Sequence, residues 1–180
     1  MSSTVPPAPQ VSQKPTGEAR MAKVFGLEGE RWMRHANPLS VGTRFTVLSV
    51  LALAIWSRDW IGILCLIPIG LAIVWMFVNP LLFKEPKSTS NWASKGVFGE
   101  RIYSERNVVA IPEEFRSRVP NVANAYSALG LLPLTYGLVE LSLLPVVTGL
   151  LITHGAKLWY IDRMVLLFDA MKQRDAKYAA

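Results

Sequence analysis

Two long stretches, residues 39–83 and 119–168, are apolar over most of their length and hold few of the charges of the 180-residue chain. An α-helix needs about 20 apolar residues to cross the roughly 30 Å hydrocarbon layer of a bilayer, where every backbone N–H and C=O must be satisfied within the segment itself. Each stretch has room for two such helices. Composition agrees, since 51% of residues are hydrophobic and 18% charged, against about 25% charged in ordinary soluble domains. This balance argues against a soluble enzyme, a freely diffusing nucleic-acid binder and, with Cys65 the one cysteine, a secreted disulfide scaffold. The chain reads as an all-α, four-transmembrane-helix bundle made of two hairpins, with short cytoplasmic interfacial helices.

The spans are predicted at about 39–57, 60–83, 122–139 and 141–161. Asn37 and Pro38 stand where a first helix would start, Asn as a side-chain acceptor for orphan amides and Pro preset for the first turn. Arg44 lies one turn inside and is expected to snorkel outward. Pro68 should kink or tilt the second span. The third contains Gly130, Pro133 and Gly137, and the fourth has Pro145 in its first turn. Residues 1–23 form an expected disordered, Pro-rich tail, residues 24–171 a single membrane domain and residues 172–180 a C-terminal tail. No charged segment leading into an apolar core and cleavage site is seen near the start, so insertion is assigned to an internal helix.

Lysine and arginine number six before residue 45, seven between the hairpins and five from Lys157 onward, whereas the two hairpin turns hold Arg58 alone. This split of 18 against 1 follows the positive-inside rule and places both termini and the central loop in the cytoplasm. The same flanks account for the net charge of +6 without nucleic acid. Two hairpins that both begin inside are parallel halves, unlike the inverted repeats of many carriers.

Two cytoplasmic segments share a stripe of aromatic and small residues. In one, predicted at 24–36, Phe25, Gly29, Trp32 and Ala36 fall on one helical face; in the other, at 91–104, Trp92, Gly96, Gly99 and Tyr103 repeat the spacing, with Arg101 nearby. The stripes suit helices lying at headgroup level, or glycine faces that admit a partner or ligand. Asn-Pro-Leu occurs at 37–39 and 79–81, where Asn37-Pro38 and Asn79-Pro80 read as helix boundaries that could meet at the mouth of the first hairpin. His35, beside Arg34, and His154 sit at different depths and do not make a haem or metal set. His154 reads as a polar contact between helices or as a snorkelling interfacial group. Lys157 can snorkel, and Asp162 and Arg163 follow beyond the apolar core, Asp162 being able to pair with Arg44 or Arg34. No catalytic constellation, metal or cofactor is indicated. Gly130 and Gly137 suggest packing with further copies or partners.

The stretches RHANPLSVGTR (34–44), NPLLFKEP (79–86), NWASKGVFGERIY (91–103) and KLWYIDRMVLLFDAM (157–171) together resemble an uncharacterised family of small bacterial four-helix membrane proteins, catalogued as a domain of unknown function. The resemblance covers about residues 28–171, implies the four-helix membrane fold and supplies no catalytic residues. Leu39, Leu166 and Phe168 stand where aromatic or differently sized residues are expected in relatives.

The functional expectation is a non-enzymatic accessory or interaction subunit of the bacterial cytoplasmic membrane, docking partners or anionic lipid headgroups through its cytoplasmic face, as a homo-oligomer or within a larger membrane complex. A small-solute carrier or channel is the alternative. An interfacial lipid-modifying enzyme using His35, Glu28, Glu30 or Asp162 is a further one.

Overall fold

A computed structural model describes residues 16–17, 19–20 and 30–174, all-helical apart from connecting turns and loops. The side chains of Trp32 and Pro80, and most of the expected tail and first interfacial segment, lie outside the described residues. The helices are α1 (Glu30–His35), α2 (Pro38–Trp56), α3 (Arg58–Ile61), α4 (Leu66–Leu82), α5 (Trp92–Ser104), α6 (Val119–Leu129), α7 (Leu131–Val139) and α8 (Leu143–Arg174). Short 3-10 turns occupy Gly62–Cys65 and Glu113–Arg116.

Helix α2 starts as its sequence dictates: Asn37 caps it by accepting from the Leu39 amide at 2.9 Å, and Pro38 fills the first turn. The expected second span is interrupted elsewhere than at Pro68. Gly62 takes φ +56°, a conformation costly for a residue with a Cβ, and the backbone tightens into a 3-10 turn before α4 begins. Pro68 then sits at the third position of α4, where its missing N–H is one that no intrahelical acceptor would have met. Helix α4 also runs through Pro80 to Leu82, so Asn79 does not mark its end. Pro145 falls in the first turn of α8.

Helices α2 and α4 pack as an antiparallel pair, and α6–α7 packs antiparallel along the first half of α8. The stretches Pro38–Asn79 (42 residues) and Glu113–Val139 (27 residues) are long and apolar enough to cross a membrane. Only 11% of the most apolar window of the first is buried, which separates it from the core helix of a soluble protein. At one end, Arg58 donates to the carbonyls of Leu138 and Val139 and ties the two turns together.

The other end carries a compact head. Helix α8 continues without a break for 32 residues, about 48 Å, so it outruns a bilayer by roughly 18 Å. On its far half Tyr160, Met164 and Leu167 are almost wholly buried against Tyr103 of α5 and Ala123 of α6. Each such large side chain contributes about 1.5–3 kcal/mol by leaving water.

Three residues of the α5 stripe, Gly96, Gly99 and Tyr103, face inward, whereas Trp92 at its start is 40% exposed. A Cβ at Gly96 would lie 2.5 Å from Ile161, and one at Gly99 would lie 1.9 Å from the Met164 carbonyl oxygen. The glycine part of the surface assigned to headgroups or to a partner is thus occupied by α8 of the same chain, leaving Trp92 as the stripe residue still open to the outside. Gly130 and Gly137 are corrected likewise: they press on Thr153 and Val146 of α8 and are not free for other copies. Thr16, within the tail expected to be disordered, is buried and donates to the Ser104 carbonyl at 2.6 Å.

Candidate functional site

The sequence-nominated polar residues gather where the head meets the two hairpins. Helix α2 presents Arg44 toward its own N-terminus, the direction in which helical side chains lean. The guanidinium donates from Nε to the Ser40 carbonyl at 3.2 Å, from a terminal nitrogen to the His35 carbonyl at 2.8 Å, and from the other to the His35 ring. Arg44 therefore clasps the α1–α2 corner, a more constrained role than free snorkelling. Close by, Lys157 of α8 lies 3.5 Å from Glu100 of α5 and 4.5 Å from the Tyr160 ring centroid. His35 feels the charges of both Arg44 and Lys157.

Burial first, then Arg44, then Lys157 hold the His35 imidazole down at about 3, from its usual 6.5. A neutral ring is also what the Arg44 contact needs, since an imidazolium has no lone pair to accept with. Between pH 6.5 and about 3 the unfolded chain binds a proton that the folded chain refuses. The stability present above 6.5 therefore falls as pH drops through that window, by at most about 1.4 kcal/mol per pH unit. Thermal unfolding in detergent should show this acid limb, and His35→Asn should flatten it; an unchanged limb in the variant would place the titrating group elsewhere.

Beside this corner a fully buried Asn79 bridges the first hairpin, accepting from Ser40 Oγ at 2.9 Å and donating to Thr43 Oγ1 at 2.6 Å. Asn37, besides capping α2, donates to the Lys84 carbonyl at 2.8 Å, so both Asn-Pro pairs do gather at one mouth. Their roles differ: Asn37 is a cap and Asn79 an internal bridge. Deeper, His154 Nε2 lies 2.9 Å from the Phe45 carbonyl and joins α8 to α2, the interhelical contact expected of it.

On the head, Asp162 accepts from Trp92 Nε1 at 3.5 Å, and this contact stands in place of the anticipated ion pair with Arg44 or Arg34. Arg34 and Arg163 are exposed, and Arg101 lies 3.7 Å from Glu105 one turn on. Four residues escaped the sequence reading: Lys95, 2.9 Å from Asp169; Ser94, which donates to the Ala36 carbonyl at 2.7 Å; Glu100; and Gly149. Their partners are 57 to 74 positions away except at Gly149, where the close approach comes from α7 and the α6–α7 junction, and no local pattern announces such pairings. Among the described residues, no three His, Cys, Asp or Glu side chains group where a metal ion could sit.

Several exposed side chains share the outer side of α8 in the head. Leu158, Trp159 and Leu166 are 42–45% exposed, and Trp92 beside them is 40% exposed, all around Asp162 and Arg163. The opposite side of α8 is the head core, so this surface is rigidly backed.

No curated protein and no solved structure shows a significant match to this chain. A family model does match over residues 16–180, beyond both ends of the resemblance read from the sequence and including the buried Thr16. The chain thus belongs to the family of unknown function DUF6653.

Proposed function

We propose that this is a non-enzymatic accessory protein of the bacterial cytoplasmic membrane, with four spans and both termini inside, whose head docks a larger membrane protein complex. The reading rests above all on the rigidly backed face of Trp92, Leu158, Trp159 and Leu166 around Asp162 and Arg163. Aromatic side chains and arginine are enriched in protein interfaces, and exposed large apolar groups clustered on a fixed helix suit a docking anchor. The 18-to-1 charge split supports the orientation. The apolar outer surfaces of α2, α4 and α7 support immersion in lipid. A head built on the inner ends of the spans would meet partners at the membrane surface.

Mass spectrometry of proteins co-purifying with a C-terminally tagged copy from native membranes tests this. Stoichiometric partner subunits are expected, and Leu166→Ser should release them while leaving a folded, monodisperse protein. A homo-oligomer with no partner would overturn the accessory role and favour the small-solute carrier.

A further inference from the structure

We infer that the corner of α2, α5 and α8 binds a phosphate group between Arg44 and Lys157, supplied by an anionic phospholipid or by free phosphate. Unlike partner docking, this assigns a ligand to a corner of the head; the two cations that would hold it follow from the fold, and its placement at lipid-phosphate level rests on the orientation proposed above.

The argument starts from charge. Arg44 is set into the end of an apolar helix, and its three donor contacts all go to uncharged groups: two carbonyl oxygens and an imidazole. No carboxylate lies within ion-pair distance of it among the described residues. Among the described residues the acid at this corner is Glu100, 3.5 Å from Lys157 and close enough to act on Arg44 as well. His35 adds no charge while it accepts from Arg44. Among the described residues, two cations thus face one carboxylate, leaving one positive charge in a partly buried site, where an uncompensated charge is costly. A phosphodiester monoanion supplies the single missing charge. Its oxygens match the donors present, because guanidinium and ammonium groups make short, charge-assisted bonds to phosphate.

Access is also present. The Lys157 side chain is 39% exposed and that of Glu100 29%, so the corner opens to the outside. Leu39 on α2 and Leu158 on α8 are exposed apolar residues on two helices of the corner, as an acyl chain would require. Lys157 lies at the level where α8 passes from apolar span to head, the level of lipid phosphates in the orientation proposed above.

The test uses the full-length protein in mild detergent and reads Tm during titration with phosphatidylglycerol, phosphatidylcholine or inorganic phosphate at constant ionic strength. Phosphatidylglycerol should stabilise more than phosphatidylcholine, and Lys157→Gln should weaken its apparent affinity about tenfold, the loss of one charge-assisted contact of roughly 1.4 kcal/mol. Lys172→Gln, on the exposed end of α8, should leave it unchanged. Saturable stabilisation by inorganic phosphate with the same Lys157 dependence would support the site with a soluble anion as its ligand. Equal responses to the two lipids together with an inert phosphate arm would overturn the inference. So would equal weakening by Lys157→Gln and Lys172→Gln, which marks diffuse surface attraction. Lys157→Arg, which keeps the charge, should retain binding and so separates ligand contact from general damage to the fold.

Discussion

Gly99→Ala is expected to destabilise the head by about 3 kcal/mol or more, although alanine ordinarily favours a helix over glycine by about 1 kcal/mol. The reversal comes from the atom that the new methyl would meet. It would lie 1.9 Å from the Met164 carbonyl oxygen and 2.5 Å from the Met164 carbonyl carbon, and backbone cannot swing aside as a flexible side chain can. Relief requires α5 to back away from α8, which loosens the packing of Tyr103 and Phe168 and of the Phe98–Phe168 ring pair at 5.7 Å. Gly42→Ala and Gly155→Ala are the controls, because a Cβ at either meets nothing within 4 Å. They should be neutral or slightly stabilising. Thermal unfolding of the three variants in one detergent decides the matter, and a Gly99→Ala protein that melts with its controls would refute the close α5–α8 contact.

A second large effect is expected at Gly149, in the half of α8 that packs against α6 and α7. Here a Cβ would fall 2.5 Å from the Leu134 amide nitrogen and 2.6 Å from the Gly130 carbonyl oxygen, so the backbone of the facing α6–α7 segment blocks it. Small residues permit such close approach between helices, which packing and interhelical hydrogen bonds then hold together. Separation of the helices would also strain the reciprocal bonds between Ser127 and Thr153, 3.2 and 3.1 Å long. Gly149→Leu should therefore lower the yield of monodisperse protein severely, and Gly149→Ala should cost about 2–3 kcal/mol. The two glycines can be told apart by limited proteolysis. Damage at Gly99 should expose the head around residues 105–118 first, whereas damage at Gly149 should loosen the second hairpin. Identical cleavage patterns would argue that head and hairpin unfold as one unit.

What the sequence determined by itself was the set of local features. Long apolar runs, the Asn37 cap with Pro38 behind it and Pro145 in a first turn all follow from residues acting on their own few neighbours. Other local signals admit two contexts. Pro68 can kink a helix or sit harmlessly in its first turn, and the break at Gly62 decided which. Asn79-Pro80 can end a helix, yet the presence of Ser40 and Thr43 opposite turned Asn79 into a bridge. The candidate site was half legible: His35, Arg44, Lys157 and Asp162 stood out as polar groups beside apolar runs, while nothing local marks Glu100 or Lys95, whose partners are 57 and 74 positions away. Only the tertiary structure decided what the glycine faces touch and which charges meet. A glycine marks a place where two backbones are able to approach, but the identity of the second backbone depends on how distant helices pack, and that information is spread over the whole chain.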